Sequence, residues 1–443
     1  MSNSSKLSIK EKLAYGLGDT GSNIVFQVVI IYMMFFYTDV FGISAAAAGT
    51  LMLVVRLFDA ITDPLMGALA DRTNSRWGRY RPYLLWIAIP YGVLAVLAFT
   101  TPDTSEANKL IYAYVTYALM MTAYTAINIP YSALGGMLTR DTQERASVQA
   151  WRFAMAKVGG VMVAALTFPL VTYFGEGNKQ LGFSQAMVVL SVIAILCFVA
   201  CFAFTKERVV EVAKKVSIKS DILAVLRNDQ WWVMAAVTFF LLITVAMRGG
   251  VTPYYVTYYL GQESLVSSFV TTSMVGGICG ALFTGWAIKT ICKVKLMKFA
   301  CLGVAAANFI LFNVPADMVY VAFIINFMTQ FFHMIFIPIL FSTIPDTADY
   351  GKEKNGNGPM AMGISGHLLS LKFGIAIGGA LTGWLLSAYG YQANVIQTET
   401  ANNGIVTIFS LSPAIGALIA FGLLHFYKLN QAWYLKKEGN IDE

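Results

Sequence analysis

The chain has 443 residues, of which 57% are hydrophobic and only 12% are charged, against about 25% charged residues in a soluble domain. Its formal net charge of +7 would suit nucleic acid or another anionic partner, but most of the basic residues lie in loops between apolar runs. These runs are about 20 residues long, enough to cross a bilayer as helices, and they recur along the whole chain. The composition therefore excludes a soluble protein and predicts an all-α polytopic membrane protein.

The apolar runs predict about twelve transmembrane helices in two groups of six. The segments lie near residues 14–41, 44–71, 82–101, 110–138, 149–174, 184–205, 231–260, 264–289, 296–314, 318–345, 362–388 and 404–427. The predicted domains are an N-terminal six-helix bundle (1–205), a cytoplasmic middle loop (206–230), and a C-terminal six-helix bundle with a short cytoplasmic tail (231–443). A basic loop follows the second helix of each half, at 71–82 and 289–298, which indicates a weak internal repeat.

The placement of lysine and arginine predicts the orientation of the chain in the membrane. With the N-terminus inside, 24 of the 31 basic residues fall in cytoplasmic segments, and the outer loops hold only Lys109 and Lys179. Basic residues favour the cytoplasmic side of short loops. We therefore expect both termini to be cytoplasmic.

The second helix carries the most costly residues of the chain, Asp59 and Asp63, with Arg56 just before them. Residues four apart lie on one face of a helix, and a carboxylate in mid-bilayer costs about 2.5–3.5 kcal/mol. Such a face predicts a polar cavity whose acids hold a cation, either a proton or Na⁺, with neutral oxygens from Thr62 and Thr125. The alternative is an internal salt bridge with Arg56 that only joins helices.

The loop DRTNSRWGRYRP follows this helix. Its arginines are either positive-inside anchors or parts of a gate in which Asp71 forms bridges with Arg76 and Arg79 that break and reform.

Three further segments carry candidate ligand-binding residues. The first helix holds the polar residues Asp19, Ser22, Asn23 and Gln27, which are typical of a cavity lining. The fourth helix contains the segment TAYTAINIPYSAL, with Tyr124 and Asn128 beside a proline. The side-chain amide of Asn128 can bind a hydroxylated ligand or another helix. Arg152 opens the fifth helix, where it either binds vicinal hydroxyls or a carboxylate or reaches the membrane interface.

Lys372 lies in the segment SLKFGIAIGGALTGW of the second half. A lysine in mid-span needs an anionic partner, and Asp59 or Asp63 is the natural candidate. The alternative is an anchor at the cytoplasmic end of that helix.

Taken together, four blocks of sequence resemble the glycoside–pentoside–hexuronide:cation symporters, the family that contains melibiose permease. They are KEKLAYGLGDTGSN with YTDVFGI, RLFDAITDPLMGALADRTNSRWGRYRP, YTAINIPYSALGG and DTADYGKEKNG. The resemblance runs from about residue 8 to 430. It implies a major-facilitator fold of two six-helix bundles, alternating access, and a cation site beside a sugar site.

The resemblance also assigns residues to these sites. It places Asp59, Thr62, Asp63 and Thr125 at the cation site, and Asn23, Asn128 and Arg152 at the sugar site, with Lys372 linking the halves. Melibiose-type members differ from this chain at five positions. They have asparagine in place of Thr62, aspartate in place of Asn23 and Asn128, lysine in place of Ser22, and tryptophan in place of Ser132. These departures favour a pentoside, such as a xyloside, or a hexuronide over a galactoside, and they leave both H⁺ and Na⁺ open.

We therefore predict a secondary active sugar:cation symporter, closest in wording to the xyloside and glucuronide branch. The alternative is a cation-coupled lysolipid-type transporter on the same fold. No nucleophile–base pair or metal cluster indicates an enzyme, and no cofactor beyond the coupling ion is expected. The expected partners are a small-molecule sugar, a monovalent cation and the lipid bilayer, for a monomeric, multi-pass protein of the bacterial inner membrane.

Overall fold

The computed structural model describes residues 6–139, 141–209, 218–356, 358–429 and 433. In these residues all regular structure is helical. Contacts divide the chain into two compact units, Met1–Ala213 (unit 1) and Lys214–Glu443 (unit 2). The division falls inside the predicted middle loop, of which residues 210–217 lie outside the described part of the chain.

Unit 1 contains seven helices in its described residues: α1 Ile9–Phe35, α2 Ala45–Arg72, α3 Arg81–Trp86, α4 Ala88–Ala98, α5 Glu106–Met137, α6 Thr142–Gly175 and α7 Lys179–Phe204. Unit 2 contains eight over the residues described there: α8 Ile218–Leu226, α9 Asp229–Tyr254, α10 Val266–Ala287, α11 Lys293–Phe312, α12 Val319–Asn355, α13 Met360–Ala388, α14 Glu399–Val406 and α15 Ser412–Leu423. Helix α8 lies in the predicted middle loop, which is therefore partly helical.

Eleven stretches of helix in the described residues are long and apolar enough to cross a membrane, and each corresponds to a predicted segment. The third predicted segment, 82–101, differs because it forms two short helices, α3 and α4, interrupted at Ile87. Pro90 explains the break, since it has no N–H to bond the carbonyl four residues earlier. With this broken helix the chain follows the predicted order of twelve segments.

The two units share one pattern of helix pairing. In unit 1, α1 packs against α6 and α7, and α2 packs against α5. In unit 2, α9 packs against α13 and α15, and α10 packs against α12. The first long helix of each unit also ends in a π-helical turn, followed by a glycine with positive φ, Gly42 at +89° and Gly261 at +68°. The repeat indicated by the basic loops is therefore present in the structure.

Helix α2 shows how the fold separates apolar from polar faces. Ile61 and Leu65 are each 67% exposed on its outer side, whereas Asp59 is only 1% exposed. Because the outer side of a membrane helix meets lipid, apolar side chains belong there and carboxylates do not. The fold thus turns the first acid of the pair into the interior of unit 1.

Candidate functional site

The structure brings three of the predicted cation-site residues together in unit 1. Helix α2 carries Asp59 and Asp63 one turn apart, and α5, which packs against α2, supplies Thr125. The Thr125 hydroxyl oxygen lies 2.6 Å from Asp59 Oδ1 and 3.0 Å from Asp63 Oδ1. Both distances are hydrogen-bond lengths for oxygen pairs, so one threonine bridges the two carboxyl groups.

The Thr125 bridge holds the two carboxyl groups close together. A threonine hydroxyl has one hydrogen to donate and lone pairs to accept with, so it either shares that hydrogen between the two acids or donates to one acid and accepts from the other. Two close carboxylates repel each other, and a positive ion between them relieves that repulsion.

Thr62, the fourth predicted cation-site residue, is turned differently. Its hydroxyl donates to the backbone carbonyl of Asp59 at 3.0 Å and not to a side-chain oxygen of that residue. Pro64 follows Asp63 in the same helix and has no N–H, so the carbonyl of Ala60 lacks its usual intrahelical donor.

Arg56 lies one turn before Asp59 and is buried. Its guanidinium sits over the Phe26 ring, 5.2 Å from the centroid, and it interacts electrostatically with Tyr117 and Asp59. Phe26 in turn stacks on Tyr124 at 5.3 Å between centroids. Arg56 therefore contributes positive charge near the acids, while Thr125 bonds both of them.

The predicted sugar residues of unit 1 form hydrogen bonds on α1 and α5. The Asn128 amide donates to the Tyr124 hydroxyl at 3.2 Å, and the Asn23 amide donates to the backbone carbonyl of Asp19 at 3.0 Å. The amide oxygen of Asn128 is buried with no hydrogen-bond partner among the described residues. Since Tyr124 and Asn128 flank Thr125 on one helix, α5 contributes to both candidate sites.

Asp19 is a residue whose role sequence reasoning missed. Its carboxylate forms an ion pair with Arg152, with 3.2 Å between Asp19 Oδ2 and Arg152 Nε. The two residues are 133 positions apart, so no local pattern links them. The only sequence signal was an acid inside an apolar run, which indicates a cavity lining without naming a partner.

The predicted gate residues occupy the loop between α2 and α3. Asp71 accepts a hydrogen bond from the Tyr80 hydroxyl at 2.7 Å, and the Arg76 guanidinium lies over Trp77, 4.4 Å from the ring centroid. The backbone N–H of Arg79 donates to Glu207 at 2.8 Å. A bridge between Asp71 and an arginine is not among the contacts of the described loop, and the gating role stays a prediction.

Lys372 lies on α13 of unit 2, whereas the other candidate site residues lie in unit 1. Its predicted pairing with Asp59 or Asp63 stays a prediction.

The long apolar helices pair with one another in the same pattern in both units. Buried acids and hydrogen-bonded polar groups lie among them. These features define a polytopic membrane transporter. The sequence profile of the MFS/sugar transport proteins matches residues 14–431. The chain is 42% identical to the inner membrane symporter YicJ of Escherichia coli over 94% of its length and 90% of that protein's. It is 36% identical to the isoprimeverose transporter of Lactiplantibacillus pentosus, covering 95% of this chain and 89% of the relative.

A solved structure shows the same fold. A bacterial homologue of the human lysosomal transporter Spinster matches with a TM-score of 0.71 and 14% identity, covering 94% of this chain and 97% of that one. The chain belongs to the MFS/sugar transport protein family, as the sequence resemblance predicted. It is a multi-pass transporter of the bacterial inner membrane and not an enzyme.

Proposed function

We propose that the protein imports a glycoside together with a proton by alternating access. The observation that carries the proposal is the Thr125 bridge, which holds Asp59 and Asp63 close together, so that a proton bound by the pair relieves the repulsion between the acids. The cargo class is supported by family membership and by the relative named as an isoprimeverose transporter. A pentoside-type glycoside is our first choice of cargo, and a hexuronide is the second.

The mechanism follows from the charge of the acid pair. A proton that binds at Asp59 and Asp63 lowers the negative charge of unit 1, and so changes the cost of exposing that site on either side of the membrane. Thr125 and Asn128 lie on the same helix, so sugar binding and proton binding both act on α5. One charge moving through 100 mV provides about 2.3 kcal/mol, enough for roughly fiftyfold accumulation.

The four residues assigned to the cation site belong to unit 1 of one chain. We infer that a monomer suffices for coupling. We also infer that Lys10, Arg145 and the other basic residues of the predicted cytoplasmic segments face the cytoplasm with both termini. Labelling of single cysteines placed in these loops, in sealed right-side-out vesicles, tests that orientation.

Uptake into sealed proteoliposomes tests the coupling ion and the cargo together. Neutral xylosides, other glycosides and uronides are offered under separate proton and sodium gradients. We expect accumulation of a glycoside under an inward proton gradient, and little effect of sodium. Accumulation driven by sodium alone would contradict the proton assignment.

The variant Asp59→Cys sharpens this test. It should lose accumulation against a gradient while retaining sugar binding or exchange, because the carboxyl group that binds the ion is gone and the sugar residues are intact. Asp103→Asn, in the loop between α4 and α5, is the matched control and should transport like the wild type. Full accumulation by Asp59→Cys would refute the role of the acid pair.

A further inference from the structure

The Arg152 guanidinium is held by three helices of unit 1. Its Nε donates to Asp19 on α1, and its Nη2 donates to the Ser132 hydroxyl on α5, each at 3.2 Å. Its plane lies over the Tyr131 ring, 5.0 Å from the centroid. Arg152 itself lies on α6. These contacts leave its remaining nitrogen, Nη1, without a partner among the described residues.

The ring beneath Arg152 is itself fixed. The Tyr131 hydroxyl donates to the backbone carbonyl of Tyr15 at 2.8 Å, and the two rings stack 4.8 Å apart. A side chain at Gly18 would collide with the Tyr131 ring, so the glycine lets α1 approach α5 closely. Because the Tyr131 ring is fixed, the guanidinium that packs on it is pre-organised. Less conformational entropy of the Arg152 side chain is then lost when a ligand binds.

Two polar atoms on these helices have no hydrogen-bond partner among the described residues. Arg152 Nη1 is a donor, and the buried Asn128 Oδ1 is an acceptor without a partner among the described residues. A sugar hydroxyl both accepts and donates hydrogen bonds, so hydroxyl groups of a sugar can satisfy both atoms. The Arg152 side chain retains 18% exposure, whereas that of Asp19 retains 8%, so the arginine is the accessible member of the pair.

We propose that Asp19 is a positioning residue of the sugar site, an inference that rests on the proposed function. Its carboxylate orients the Arg152 guanidinium and balances its charge, so that a neutral sugar meets an ion pair rather than a bare cation. Without that carboxylate, Arg152 regains Nε as a donor and its positive charge is no longer balanced. A guanidinium of this kind favours a carboxylate ligand through charge-assisted hydrogen bonds.

The test compares a neutral xyloside with a glucuronide that carries the same aglycone. Affinities for both are measured on purified full-length protein, for the wild type, Asp19→Asn, Asp19→Glu, Arg152→Gln and the double variant. We expect Asp19→Asn to shift the affinity ratio about tenfold towards the glucuronide, the effect of one charge-assisted interaction. Asp19→Glu keeps the charge and should keep the wild-type ratio.

The double variant shows whether Asp19 acts through Arg152. In the Arg152→Gln background, Asp19→Asn should cause no further change in either affinity. Additive effects, or an unchanged ratio in Asp19→Asn, would overturn the proposal. Should Asp19→Asn not fold, Ser132→Ala replaces it, because this variant loosens Arg152 without altering its charge. It should weaken both sugars equally, and a shift towards the glucuronide would refute the charge-balancing role.

The wild type separates this inference from the proposed function. A wild-type protein that binds neither sugar contradicts the proposed cargo class itself. If the wild type binds the xyloside but the Asp19 variants leave the ratio of xyloside to glucuronide affinity unchanged, only the proposed role of Asp19 is overturned.

Discussion

Arg152 in unit 1 and Arg248 in unit 2 both lie on membrane-spanning helices, and their guanidinium groups are satisfied in different ways. In unit 2, the Arg248 guanidinium donates to Asn308 Oδ1 at 2.7 Å, to the Phe409 carbonyl at 2.8 Å and to Asn326 Oδ1 at 2.9 Å. No carboxylate pairs with it among the residues that the structure describes. In unit 1, Arg152 pairs with Asp19 and keeps one nitrogen available.

The two units also differ in their second long helices, which pack in corresponding positions. Helix α2 carries the acids Asp59 and Asp63, whereas α10 reads VSSFVTTSMVGGICGALFTGWA and contains no charged residue. The same helix pairing therefore supports an ionisable site in unit 1 and neutral packing in unit 2. We infer that unit 1 carries the coupling chemistry and that the polar cluster of unit 2 is structural.

The largest expected effect concerns Arg248. Arg248→Met removes the donor to three buried acceptors, and each acceptor that loses a charged donor costs about 1–3 kcal/mol. We expect the free energy of unfolding to fall by about 3 kcal/mol or more, with an unchanged KM for sugar in the folded fraction. Thermal unfolding in detergent and uptake kinetics measure the two quantities.

The matched control is Arg227→Met, at the exposed end of α8, which should alter stability by less than about 0.5 kcal/mol. A raised KM in Arg248→Met with unaltered stability would place substrate chemistry in unit 2 and break the comparison.

The next effect contrasts polar contacts at helix ends in the two units. The Glu207 carboxylate accepts from the backbone N–H groups of Arg79, Tyr80 and Arg81 at 2.7–2.8 Å. Glu207→Gln should cost about 2 kcal/mol of stability, because one amide oxygen can keep only the two bonds that Oε1 accepts, and these two bonds lose the help of the negative charge. Thermal unfolding is the measurement.

The counterpart in unit 2 is Asp229, which pairs with the exposed Lys354 and Lys428 at 2.8 and 2.9 Å. Exposed ion pairs contribute about 0–1 kcal/mol, so Asp229→Asn should have less effect than Glu207→Gln. The reverse order would show that surface charge, not the bonds to the backbone, holds these helix ends.

A smaller effect concerns the bridge within unit 1. Thr125→Ala should lower proton-driven accumulation about tenfold, the effect of losing about 1.4 kcal/mol of hydrogen bonding to the acids. Thr125→Ser keeps the hydroxyl and should stay near the wild type. Thr122→Ala is the matched control, because Thr122 lies on the same helix and its hydroxyl donates to the Ala118 carbonyl at 2.8 Å. Equal losses in Thr122→Ala and Thr125→Ala would count against the bridge.

The smallest effect is a pH dependence at the start of unit 1. Glu144 accepts from Lys12 at 2.9 Å and from the Leu7 N–H at 3.1 Å, and the bond from Lys12 lowers the pKa of Glu144 below its ordinary 4.5. A lowered pKa means that the contact stabilises the folded state above the ordinary pKa, and that this stabilisation is lost as the pH falls through the lowered value.

Melting temperatures of the wild type and Glu144→Gln should therefore differ slightly at pH 7 and converge in acid. A difference that grows in acid would contradict this sign.

Much of the fold follows from local sequence, because a bilayer requires long apolar helices. Eleven predicted segments form as single long stretches of helix, and the break at Ile87 could have been read from Pro90. The spacing of Asp59 and Asp63 also sufficed to place both acids on one helix face. Thr125 was expected to supply a neutral oxygen, and the family resemblance assigned it to the same site, but its contact with both acids could not be read from local sequence, since α2 and α5 meet only in the tertiary structure.

The pairing of Asp19 with Arg152 could not be predicted in the same way. An acid in an apolar run shows that a partner is needed, but any of several basic residues satisfies that need. The backbone contacts of Glu207 were hidden for a related reason, since its donors carry no side-chain signal in the sequence.

The central claim is that a proton shared by Asp59 and Asp63 enters with the sugar. The most direct measurement is the pH of a weakly buffered suspension of sealed, right-side-out vesicles that contain the protein, recorded when a transported glycoside is added without sodium. We predict immediate alkalinisation of the medium, absent in Asp63→Asn vesicles. Sugar entry with no change in external pH, together with uptake of sodium when it is supplied, would contradict the account.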